Sequence, residues 1–101
     1  MTDKNNKAKF NKANALVNKY LCEFIFDKFL KNMKNQEGEP ISQNEYSKQC
    51  GLSSSTLTKL KQPIGYDLPM STIYNICRHE QYSLKQFFTE FEGKYGENIP
   101  Q

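Results

Sequence analysis

Apolar residues between about Ala13 and Asn35 recur at helical spacing, yet they do not keep to one face, and no Pro or Gly interrupts them. Each residue turns an α-helix by about 100°. On that basis Leu16, Val17, Tyr20 and Phe24 share one arc near the start. Cys22, Ile25, Phe26, Phe29, Leu30 and Met33 fall on roughly the opposite side further along. Glu23, Asp27 and Lys31, spaced four apart, mark one solvated stripe. The pattern predicts a long helix that touches two different things. One is the core of its own domain, and the other is the C-terminal segment or a second subunit.

The rest of the chain is punctuated more finely. Gln36 to Pro40 is a loop by its Gly and Pro. Ser42 has the chemistry of an N-cap, and Glu45 three residues on completes a capping box. The predicted helix from about Gln43 to Cys50 is stopped by Gly51, as a left-handed glycine stops one. Ser53 caps the next helix, from Ser54 to Lys61. Pro63, Gly65, Asp67 and Pro69 then make a loop. A helix from about Pro69 or Met70 to His79 is expected to bury Met70, Ile73, Tyr74, Ile76 and Cys77. Ser83, with Gln86 three residues later, opens the last helix, which carries Leu84, Phe87, Phe88 and Phe91 and ends at Gly93 and Gly96. No repeat and no strand-like alternation is present. The fold class is all-α with about five helices. A single domain spans residues 13–92, between a flexible basic leader (1–12) and a loose C-terminal tail (93–101).

Composition narrows the function classes. At 101 residues the chain suffices for one core, and 37% hydrophobic with 13% aromatic residues can fill it despite a mean hydropathy of −0.81. The net charge of +3 and pI near 8.7 are compatible with an anionic partner. The leader holds Lys4, Lys7, Lys9 and Lys12 against Asp3, and reads either as a frayed tail or as a basic arm along a phosphate backbone or in a minor groove. Cys22, Cys50 and Cys77 are scattered and odd in number, so they read as buried thiols. With His79 as its one histidine, taken as a surface residue, the chain shows no metal-ligand spacing, and no cofactor is expected. No catalytic constellation and no long apolar run appears, so a non-enzymatic cytoplasmic protein is expected.

The serine-rich stretch after Gly51 is the informative one. Two short helices hinged at a glycine form a helix-turn-helix. Tyr46, Cys50, Leu52, Leu57 and Leu60 face inward, and the small Ser47 lets the helices approach. The outward face of the second helix is then Ser54, Ser55, Thr58, Lys59 and Gln62. It is polar, free of acid, and suited to the donors and acceptors of a major groove. "ISQNEYSKQCGLSSSTLTKLK" resembles the Cro/C1-type (XRE-like) helix-turn-helix family. Ser42-Gln43, Tyr46, Ser47, Gly51, Leu52, Ser53, Leu57 and Thr58 carry the match. "LPMSTIYNICRHEQYSLKQFF" continues it through Pro69, Ile73, Ile76, Cys77, Ser83, Leu84, Phe87 and Phe88.

The resemblance implies a lambda-repressor-like domain, here with an extended first helix, that binds double-stranded DNA and regulates transcription in a bacterium, phage or mobile element. It implies that Gln43 touches a phosphate or flanking base and that Ser54, Ser55 and Lys59 hold the base-reading positions. Thr56, Thr58 and Gln62 then lie near phosphate, with backbone attraction from Lys48, Lys59 and Lys61. The chain departs from the family where Lys61 replaces an acid and where the loop Pro63 to Leu68 holds Asp67 and no base. Serines at reading positions make no bidentate contact to a single base, so binding is expected to be sequence-specific only to a modest degree or shape-selective. Leu16, Tyr20, Phe24, Phe91 and Tyr95 form a candidate homodimer patch. The alternative function is a protein-binding adaptor built on the same fold.

Overall fold

The computed structural model describes the backbone of residues 2–100 and side chains from Lys7 to Pro100; Met1, Gln101 and the Lys4 side chain lie outside the described residues. The chain is all-α, with five α-helices among the described residues: α1 (Thr2–Ile25), α2 (Gln43–Cys50), α3 (Ser54–Leu60), α4 (Met70–His79) and α5 (Leu84–Tyr95). No strand occurs among the described residues.

The basic leader is not a separate tail in backbone terms, because α1 starts at Thr2 rather than near Ala13. Lys, Ala and Asn without Pro or Gly extend a helix already nucleated downstream, where each added residue contributes one bond. At the other end α1 does not run on to Asn35. It passes into one π-helical turn, Phe26–Leu30, closed by the Lys31 N–H donating to the Phe26 carbonyl at 3.1 Å. The extra residue of that turn rotates the downstream side chains by roughly one residue's 100°. Phe29 and Leu30 in that turn are buried, as are Leu21, Cys22 and Ile25 before it. Past it, the Asn35 side chain accepts from the Glu37 and Glu39 N–H groups and turns the chain back instead of continuing a helix.

Three of the helix starts are set by serines. Ser42, Ser53 and Ser83 each accept the N–H three residues on, from Glu45, Thr56 and Gln86. Gly51 ends α2 at φ +78°, and the Leu52 N–H reaches the Ser47 carbonyl at 2.8 Å, closing the last turn through the backbone. The core joins α1 to α2, α3, α4 and α5 through Ile25, Tyr46, Leu57, Leu60, Ile76 and Phe87, each 1% exposed or less. Met70 and Tyr74, expected inside, stand about half exposed (51% and 48%), because α4 buries Ile73, Ile76 and Cys77 instead.

Both arcs of α1 are used within the chain. Phe24 packs edge-on against Phe87, Phe91 and Tyr95, and Tyr20 stacks on Tyr95 with ring centroids 5.0 Å apart. Phe24, Phe91 and Tyr95 are buried. Of the expected exposed dimer patch, Tyr20, Phe24, Phe91 and Tyr95 are therefore packed against one another between α1 and α5, while Leu16 lines a surface groove instead. For the same reason the C-terminal segment is not loose from residue 93. α5 passes through Gly93 to the buried Tyr95, and a short 3-10 turn, Gly96–Asn98, comes next.

His79 is also internal rather than on the surface. The Lys34 carbonyl, which can only accept, lies 2.9 Å from its Nε2, so that nitrogen carries the proton. Its Nδ1 then accepts from the Gln36 amide at 3.1 Å, and the same amide donates to the His79 carbonyl at 2.7 Å. This ties the loop after α1 to the end of α4.

Candidate nucleic-acid interface

The turn between α2 and α3 presents the polar residues that the sequence singles out. Tyr46 anchors it from inside, fully buried, with its hydroxyl donating to a Glu80 carboxylate oxygen at 2.6 Å. Burial, together with that carboxylate, holds the Tyr46 phenol protonated far above its ordinary range. Ser47, 3% exposed, turns its hydroxyl back to the Asn44 carbonyl at 2.8 Å and lets the helices close. Arg78 of α4 donates to the Cys50 carbonyl at 3.4 Å, adding a cation at the C-terminal end of α2.

Gln43 proves to be the tie between the two helices. Its Nε2 donates to the Ser54 carbonyl (3.0 Å), the Ser54 hydroxyl (3.1 Å) and the Thr58 hydroxyl (3.0 Å). Its Oε1 accepts from the Lys61 ammonium. One side chain from the first turn of α2 thus reaches both ends of α3. The network fixes the outer surface before any partner arrives.

The network also sorts the expected contact residues. Ser55, Thr58, Lys59, Lys61 and Gln62 are exposed along α3 and just past it, and Lys48 is exposed on α2. Ser54 is half-buried beneath Gln43, and Thr56 is half-buried beside the Ser53 cap, its hydroxyl 2.9 Å from that of Ser53. The structure brings Gln43, Ser54, Thr58 and Lys61 together, and leaves Ser55, Lys59 and Gln62 as the exposed outward groups of α3 and its end, the Ser55 hydroxyl lying 3.0 Å from that of Ser53. Lys59 is not wholly detached, since its ammonium lies 5.9 Å from the centre of the Tyr66 ring.

The loop after α3 is held to α1, a contact that sequence reasoning misses. Asn18 donates to the Asp67 carboxylate at 3.1 Å and accepts from the Leu68 N–H at 3.3 Å. Gly65 is needed twice over: its φ is +74°, and a Cβ there would come within 2.8 Å of the Lys19 Cα. Asp67 in place of a base therefore serves attachment to α1. The loop leaves Ile64 at its tip, 83% exposed.

Nothing in the described residues groups three or more potential metal ligands. The cysteines are all buried and free, and burial raises the thiol of Cys22, that of Cys50 to about 12 and that of Cys77 to about 11. They stay protonated at neutral pH and behave as small apolar side chains. Among the described residues no helix is long and apolar enough to cross a membrane.

Comparison with protein-family models, with curated proteins and with solved structures finds no match. The resemblance to the Cro/C1-type family thus rests on the residues between Ser42 and Phe88 that carry it.

Proposed function

We propose that the protein binds double-stranded DNA through α2 and α3, with α3 laid in a major groove, and acts as a non-enzymatic cytoplasmic transcriptional regulator. The observation that carries this reading is the exposed face of α3. It offers Ser55, Thr58, Lys59 and Gln62, all able to hydrogen-bond, with no carboxylate on the helix, and Gln43 holds it rigidly against α2. Base edges in a major groove are donors and acceptors, and such a face complements them. Ser55 and Lys59 take the base-reading role, Thr58 and Gln62 stand near phosphate, and Lys48 and Lys61 supply charge. Ser54 and Gln43 chiefly position the others.

The alternative, a protein-binding adaptor on the same fold, and the homodimer both lose Phe24, Phe91 and Tyr95 as contact residues, because these are buried between α1 and α5. The test is binding to short duplexes of varied sequence. Lys59→Ala is expected to change base preference, whereas Lys48→Ala weakens all sequences about equally and lowers the salt slope by about one. Equal, small effects from both substitutions would refute the role assignment.

A further inference from the structure

The positive charge of this chain is not where the proposed reading helix is. Residues 1–22 hold five lysines and one aspartate, so the remaining 79 residues carry nine bases against ten acids. No Asp or Glu occurs from Lys4 to Cys22. On the helix-turn-helix itself, Lys61 is engaged by Gln43, and Glu45 offsets part of what Lys48 and Lys59 add. A duplex attracts proteins mainly through its phosphates. The principal attraction for it therefore has to come from α1.

The geometry places that charge beside the reading helix. Lys7, Lys9, Lys12 and Lys19 are all exposed. Lys12 and Lys19, seven residues apart, are separated by only about 20° around the helix and by roughly 10 Å along it. They line one groove of about 320 Å³ with Ala15, Leu16, Pro63 and Ile64. Pro63 and Ile64 lie in the loop that leaves α3, and Gly65 seats that loop on the backbone of Asn18 and Lys19. Tyr66, under the Lys59 ammonium, borders the next groove along with Ala15 and Asn18. Lys59, the loop and the Lys12–Lys19 face thus form one continuous surface. The N-terminal part of α1 is the arm that carries these lysines, in an elongated molecule with principal extents of 55 × 27 × 20 Å.

We propose that this arm is a second DNA contact: Lys12 and Lys19, with Lys9 beyond them, grip the phosphate backbone flanking the groove that α3 reads. The inference rests on the DNA-binding function proposed for α2 and α3. It makes the arm the source of affinity and α3 the source of selectivity.

The test compares wild type, the double variant Lys12→Gln/Lys19→Gln, and the control Lys34→Gln/Lys85→Gln, which removes the same charge from two exposed lysines elsewhere. Affinity for one duplex is measured over a range of salt concentrations, and circular dichroism confirms that all three proteins are folded. The arm variant is expected to lose about two from the log–log salt slope, and the control to keep the wild-type slope. Equal slopes in all three, with wild type binding duplex, would overturn the arm and leave the helix-turn-helix reading standing; the basic face would then suit an acidic protein. Equal losses in both variants would also overturn it, since net charge alone would account for them. No binding by wild type even at low salt would overturn both proposals.

Discussion

Glycines separate two kinds of demand at the scale of single residues. Gly51 and Gly65 both sit at positive φ, where a side chain is strained by about 1–2 kcal/mol. A Cβ on Gly51 would meet only the Arg78 side chain, at an ordinary 3.6 Å, whereas on Gly65 it would strike backbone at 2.8 Å. Gly51→Ala is therefore expected to cost about 1–2 kcal/mol in urea denaturation. Gly65→Ala should cost more, because the loop has to lift from α1. Equal losses would mean that the loop is not seated on Lys19. The role of Gly51 is legible in the sequence, because a glycine closing a short serine-capped helix is local chemistry. That of Gly65 is not, since its reason lies at Lys19, far away in the chain.

Helix boundaries divide in the same way between near and distant causes. The serine caps and the helices they open depend on contacts three residues apart, and sequence reasoning places them correctly. The π turn, the backward turn at Asn35 and the extension of α5 to Tyr95 answer to packing between distant segments. The aromatic residues of α1 and α5 show this most clearly: each looks unpartnered on its own helix, and they bury one another. A polar tie secures the same pair of elements. Lys28 meets Glu90 of α5 in an ion pair, with the ammonium 4.8 Å from the centre of the Tyr82 ring. The hydrogen bond from Lys28 lowers the Glu90 carboxyl below its usual 4.5. A depressed carboxylate contributes stability above that value and loses it as pH falls through the lowered one. Glu90→Gln should therefore lower Tm slightly at pH 7, and the gap to wild type should close below about pH 4.5. A gap constant from pH 7 to pH 3 would show that the ion pair contributes nothing and that the substitution acts through packing.

The long first helix is what distinguishes the whole molecule. Its radius of gyration is 15.0 Å, against about 13 Å for a compact chain of this length. The class and the helix-turn-helix were legible because they depend on caps, a glycine and periodicity. The polar surface of α2 and α3 was legible as a set of residues, but not the way its side chains brace one another. That Gln43 braces α3, that Ser54 is half-covered, and that a loop without bases is stitched to a basic helix all depend on side chains meeting in space. The central claim is that α3, so braced, reads duplex DNA. The most direct test is selection from a randomised duplex library at near-physiological salt, with sequencing of the retained molecules. The expected result is retention with enrichment of a short motif; no retention, even when the selection is repeated at low salt, would contradict the claim.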